Sequence, residues 1–184
     1  MARILVVVDY QNDFVTGNLG FEKAKELESG IIDKIIDFGK SGDYIIATMD
    51  THDKDYMSTV EGKNLPIEHC VRGTEGWKIV EEVNEALRGC LARFIEKDTF
   101  GSIELANEIR RIEALETRLC GETPDTIEFC GVVTDICVLS NVIMAKAALP
   151  NARIIVHSNL CASNNDEMHE KALEIMRNIH VEVV

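Results

Sequence analysis

Cationic side chains are scarce: 19 Lys and Arg stand against 32 Asp and Glu, leaving a net charge of −13 over 184 residues. Nucleic-acid binding rests on clustered Lys and Arg, so that class of partner is excluded. The same deficit disfavours an anionic membrane surface. No stretch approaches the roughly 20 apolar residues that cross a bilayer. The apolar run 4–8 is too short for the hydrophobic region of a secretory signal, and no small-residue cleavage site follows it, which predicts a cytoplasmic protein. CxxC pairs are absent among the cysteines at 70, 90, 120, 130, 137 and 161. That removes zinc knuckles and thioredoxin-type motifs, and six free, mostly buried thiols are expected. The remaining partners are a small molecule or another copy of the chain.

What is present reads as an ordinary globular protein, with 46% apolar and 28% charged residues. The length predicts one domain over 1–184. Four continuous β-branched runs, at 4–8, 44–49, 126–133 and 153–157, have the pattern of strands buried on both faces. Weaker strands are expected at 91–96 and 180–184. Helical periodicity falls between them, at 23–40, 77–87, 103–112, 135–149 and 167–177, with Asn164 or Asn165 as the N-cap of the last. Alternating strands and helices predict an α/β fold of three αβα layers around a parallel, doubly wound sheet. The long irregular segment 50–76 is of a length that usually carries function.

Ligands of open parallel sheets bind beyond the carboxyl ends of the strands. Asp9, Asp50 and Lys97 fall at three such ends, and the segment Gly131–Cys137 follows a fourth. Cys137 lies in the first turn of a helix starting near Thr134 or Asp135, where unpaired backbone N–H groups stabilise a thiolate or an oxyanion. Position alone fits a buried structural cysteine equally well. Asp9 ends a wholly apolar strand, and desolvation suits it to proton transfer. Lys97 favours both the thiolate and an ionised Asp9. In the long segment, Asp50, His52 and His69 form a set suited to zinc, iron or manganese, with Glu61 as a further ligand.

These residues together resemble a known family. Asp9-Tyr-Gln-Asn-Asp-Phe14, Asp50-Thr-His52, His69-Cys-Val-Arg-Gly-Thr74, Lys97 and Gly131-Val-Val-Thr-Asp-Ile-Cys137 look like the isochorismatase-like cysteine hydrolases, which include the nicotinamidases. The resemblance runs from the first strand to the last helix. It implies a six-stranded Rossmann-like sheet in the order 3-2-1-4-5-6 and an Asp-Lys-Cys triad of Asp9, Lys97 and Cys137. It also implies an oxyanion hole from the amides of Val133 and Cys137, with a cis peptide at Val132–Val133. Phe14, Phe100 and Val132 would wall the substrate pocket. The implied activity is hydrolysis of a small amide through a thioester, as in the conversion of nicotinamide to nicotinate. Alternatives are a carbamoyl or ureido substrate, or a non-catalytic module that binds a metabolite or metal. A divalent ion, zinc first and iron or manganese after it, and a homo-oligomer are further implications. Two departures stand out: Tyr56-Met-Ser58 occupies the region of the family's middle histidine ligand, and Leu65-Pro66 the place of a pocket aromatic.

Overall fold

The computed structural model describes residues 2–184. Six strands form the sheet: β1 (Arg3–Val8), β2 (Tyr44–Asp50), β3 (Arg93–Lys97), β4 (Thr126–Val132), β5 (Arg153–Ala162) and β6 (Glu182–Val183). They run β3-β2-β1-β4-β5-β6, and every pairing is parallel. The helices are α1 (Asn12–Val15), α2 (Glu22–Lys25), α3 (Glu28–Ser41), α4 (Val60–Asn64), α5 (Glu81–Gly89), α6 (Ile103–Cys120), α7 (Leu139–Ala148) and α8 (Asp166–Asn178). A 3-10 turn spans Tyr56–Ser58, and a π-helical turn spans Thr134–Val138.

Strand alternation divides the core between the two faces. Leu5 and Val7 of β1 meet Ile31, Ile35 and Phe38 of α3 and Val83 and Leu87 of α5. Ile4, Val6 and Val8 face the other way, toward Leu105 and Ile109 of α6, Val142 of α7 and Leu173 of α8. The predicted three-layer fold and strand order hold. No helix among the described residues is long and apolar enough to cross a membrane.

Several boundaries differ from the sequence pattern, each for a physical reason. The helix expected over 23–40 is split after Lys25. There the Ala24 carbonyl accepts from Tyr10 Oη at 2.6 Å and from the Leu27 amide at 3.3 Å, a tight turn in place of the four-residue ladder. The strand expected over 91–96 begins two residues later, because Leu91 is 92% exposed with φ of 56°. α6 continues past Ile112 to Cys120 although its buried stripe ends there, and Gly121 stops it in the left-handed conformation. β5 runs past His157 to Ala162 because an irregularity opposite Phe129 and Gly131 lets it rejoin β4. Asn165, not Asn164, caps α8 by accepting from the Met168 amide.

Candidate functional site

Asp9 directly follows β1, Asp50 closes β2 and Lys97 closes β3. Because β1, β2 and β3 are adjacent and in register, with Val8 beside Thr48 and Asp50 beside Lys97, these side chains meet at one edge. β4 must approach β1 closely for the turn beyond it to join them. Gly131 allows this: its φ is +118°, and a Cβ there would lie 2.2 Å from the Val8 carbonyl oxygen. The chain then passes through a cis Val132–Val133 peptide into the π-helical turn, in which the amides of Ile136 and Val138 both donate to the Val133 carbonyl. Cys137 lies between them.

Lys97 is the centre of the cluster. Its Nζ is 2.6 Å from Asp9 Oδ2, 3.3 Å from Asp50 Oδ1 and 3.6 Å from Cys137 Sγ. All four residues are buried. Thr48 Oγ1 donates to Asp9 Oδ1 at 2.7 Å, and Asp9 itself takes a φ of 47°, a conformation that aspartate tolerates better than most residues. Burial raises the Asp9 carboxyl above its ordinary range, and Lys97 offsets part of that. Burial opposes the Lys97 charge, yet Asp9, Cys137 and Asp50 together hold the ammonium well above its usual value. Burial and the Asp9 carboxylate push the Cys137 thiol well up, against the pull of Lys97.

A second cluster adjoins the first. His52 Nε2 lies 3.0 Å from Asp50 Oδ2 and 3.8 Å from Glu61 Oε1, and His69 Nε2 lies 3.3 and 3.7 Å from the same oxygens. The ligand atoms of Asp50, His52 and His69 all fall within 4.8 Å of one another. His52 Nε2 is buried with no hydrogen-bond partner, and His69 Nδ1 bonds the Ile67 carbonyl at 2.9 Å, leaving Nε2 for the cluster. An orphaned imidazole nitrogen, a second one oriented from behind and two carboxylates fit a divalent metal. Burial disfavours the Asp50 charge, but the adjoining imidazoles of His52 and His69 and the charge of Lys97 hold its carboxyl well below the usual range.

Between these clusters opens a cavity of about 300 Å³, walled by Phe14, Leu19, Leu65, Phe100 and Ile136 and reached by Asp50, Glu61, Asn64, His69, Val133, Cys137 and Asn164. Phe14 and Phe100, expected to wall a substrate pocket, both line this cavity. Val132 does not: its side chain is fully buried in the core with Cys130 and Ala162, and its neighbour Val133, beyond the end of β4 and the cis peptide, reaches the cavity instead.

Sequence reasoning left four supporting residues without a role. Gln11 is fully buried and brackets Asp50, accepting from its amide at 2.7 Å and donating to its carbonyl at 2.8 Å. Asp13 Oδ2 accepts from the Cys70 amide at 2.7 Å, tying the His69 segment to α1. Tyr56 packs its ring against His52 and His69, with centroids 4.6 and 5.0 Å away, and donates to the Leu65 carbonyl. The fourth, Asn141, reaches the Cys137 carbonyl. Gln11, Asp13 and Tyr56 stand within or beside the quoted motifs, and Asn141 has only its place four residues after Cys137.

The sheet order, with a buried acid, ammonium, thiol and imidazole set beside a cavity at the carboxyl edge, defines a Rossmann-like hydrolase of the isochorismatase-like fold. Residues 3–184 match the isochorismatase domain model, and the chain belongs to the isochorismatase family. It is 31% identical over 186 residues to the isochorismatase family protein PncA of Bacillus subtilis, covering 97% of this chain and 96% of that protein. The crystal structure of nicotinamidase PncA from B. subtilis superposes with a TM-score of 0.83 at 28% identity, over 100% of this chain and 99% of that one. Pyrazinamidase of Pyrococcus horikoshii, solved in complex with zinc, gives 0.78 at 25% identity, over 100% and 99%.

Proposed function

We propose that this chain is an amidase that hydrolyses a small carboxamide, nicotinamide first among them, through a thioester on Cys137. The carrying observation is the Lys97 ammonium held between Asp9 at 2.6 Å and the Cys137 sulfur at 3.6 Å, all three buried, with Cys137 on the cavity wall. The nicotinamidase and pyrazinamidase relatives support the substrate class.

In this reading Asp9 takes the Cys137 proton as sulfur adds to the amide carbonyl carbon. The oxyanion is held by the amides of Val133 and Cys137, each such donor being worth about 3–4 kcal/mol. Asp9 returns the proton to the departing nitrogen, the carbon–nitrogen bond breaks and ammonia leaves a thioester. Water, deprotonated by Asp9, then releases the acid and restores the thiol. Lys97 steadies the ionised forms of Asp9 and Cys137. Asp50, His52 and His69, with Glu61 beside them, would hold a divalent ion, zinc or else iron or manganese. When bound, such an ion supplies Lewis acidity and positive charge at the cavity wall.

The test is ammonia release over a panel of small amides and ureides by the purified protein. Nicotinamide is expected to be turned over, and Cys137→Ala to lose roughly 10³-fold or more in kcat. A wild-type preparation that releases no ammonia from any member of the panel overturns the reading. Elemental analysis of the same preparation is expected to find about one divalent ion per chain, and a His52→Ala variant to lose it. Light scattering on it reads the homo-oligomer that the family resemblance implies.

A further inference from the structure

Asn141, on α7, is fully buried and is not among the residues that line the cavity. Its side chain nevertheless joins three parts of the site. Nδ2 donates to the carbonyl of Cys137 at 2.9 Å and to that of Phe100 at 3.1 Å, and Oδ1 accepts from the amide of Ser102 at 2.9 Å. Two carbonyls on one side and an N–H on the other leave only one orientation of the carboxamide that satisfies all three partners. Both sequence-distant bonds span about forty residues to the segment 98–102, which leads from Lys97 into α6 and carries Phe100.

The turn that Asn141 grips is not a regular helix. The Val138 amide reaches back five residues to the Val133 carbonyl, and the Leu139 amide reaches the Thr134 carbonyl. A widened turn of this kind is not held in place by the usual four-residue ladder, and such turns recur at functional sites. The position of Cys137 relative to Lys97, which closes β3 on the far side of the same junction, thus depends on a tie from outside the turn. Asn141 supplies that tie, in a buried environment where its hydrogen bonds are not exchanged with water.

We infer that Asn141 is a positioning residue for the amidase reaction: it locks the turn bearing Cys137 to the 98–102 segment, and so sets the thiol against Lys97 and against the Phe100 wall. This rests on the amidase reading above. Displacement of a reacting group by about 1 Å can cost about 10²-fold in rate, so losing the clamp should show in the chemical step more than in binding.

Two substitutions test it. Asn141→Asp keeps the acceptor for Ser102 and loses both donors; Asn141→Leu keeps the volume and loses all three bonds. Both are expected to fold with one cooperative melting transition. On nicotinamide, kcat should fall by about tenfold or more while KM moves by less than about threefold. Alkylation of Cys137 by iodoacetamide, followed by peptide mass spectrometry, should slow by about threefold or more. Asn165→Ala, which removes only the cap of α8, is the comparison: it should lower the melting temperature and leave kcat within about twofold. The inference is overturned if kcat stays within about twofold in the Asn141 variants, if KM carries the whole loss, or if neither variant folds. A wild-type protein that releases no ammonia from any amide sinks the amidase reading on its own account. The alkylation rates still decide the clamp in that case: slowed sustains it, unchanged overturns it.

Discussion

At the scale of single residues, the chemistry depends on which group holds the proton. Asp9 must be ionised to accept one, and burial, partly offset by Lys97, places its carboxyl above the ordinary value. Activity should therefore be present above the raised pKa and lost as pH falls through it. The acid limb of kcat/KM is expected above pH ~4, where an unperturbed aspartate would titrate, and Asp9→Asn should remove that limb with about 10²–10⁴ of the rate. A limb at or below that pH in the wild-type profile would show that Asp9 is not the group read. Asp9, Lys97 and Cys137 were legible because each is a reactive type placed at the end of an apolar run. Val132 was misplaced because a sequence cannot say which of two adjacent residues turns toward a cavity. Gln11 gave no signal beyond lying in the first motif, and Asn141 none beyond its place after Cys137, since a side chain that serves backbone groups about forty residues away leaves no local spacing.

Among the elements, the parallel strands and their order were readable from continuous β-branched runs, and the helices from their apolar stripes. The ends were less so. The break between α2 and α3 falls at the Ala24 carbonyl, which accepts from the Tyr10 hydroxyl as well as from a backbone amide, and α6 runs on past its buried stripe. The long segment after β2 hides two short elements, one of which, α4, is capped by Thr59 and carries Glu61 to within 4 Å of both histidines. A tight constraint lies at β4. Gly131→Ala would set a Cβ 2.2 Å from the Val8 carbonyl oxygen in a left-handed conformation, and strain of that kind costs about 1–3 kcal/mol before any clash. The variant is expected to lose at least that much in urea unfolding, and with it the alignment of the Cys137 turn. A Gly131→Ala protein as stable and as active as the wild type would show that β4 can draw away from β1 without effect.

For the molecule as a whole, the charged groups away from the cavity bear on acid stability. Glu128 in β4 is buried, with His157 Nε2 at 2.6 Å, Lys34 Nζ at 2.8 Å and Arg3 at 3.6 Å. Burial alone would raise its carboxyl, but the bonds from His157 and Lys34 lower it to about 2. A carboxyl depressed on folding stabilises the fold above its unfolded value, and that contribution is lost as pH falls through the folded value. Unfolding free energy is therefore expected to drop by on the order of 3 kcal/mol between pH ~4.5 and ~2, and Glu128→Gln should flatten the drop. Denaturant midpoints across that range would read it, and an equal slope in the two proteins would rule Glu128 out as its source.

Because one ammonium touches both the proton-carrying pair and the imidazole set, the two halves of the site share a single electrostatic hub. Substitutions in them are then not independent. In a double-mutant cycle between Asp9→Asn and Asp50→Asn, each removes a negative charge that the Lys97 cation balances. The combined loss of catalytic free energy should differ from the sum of the separate losses by about 0.5–3 kcal/mol.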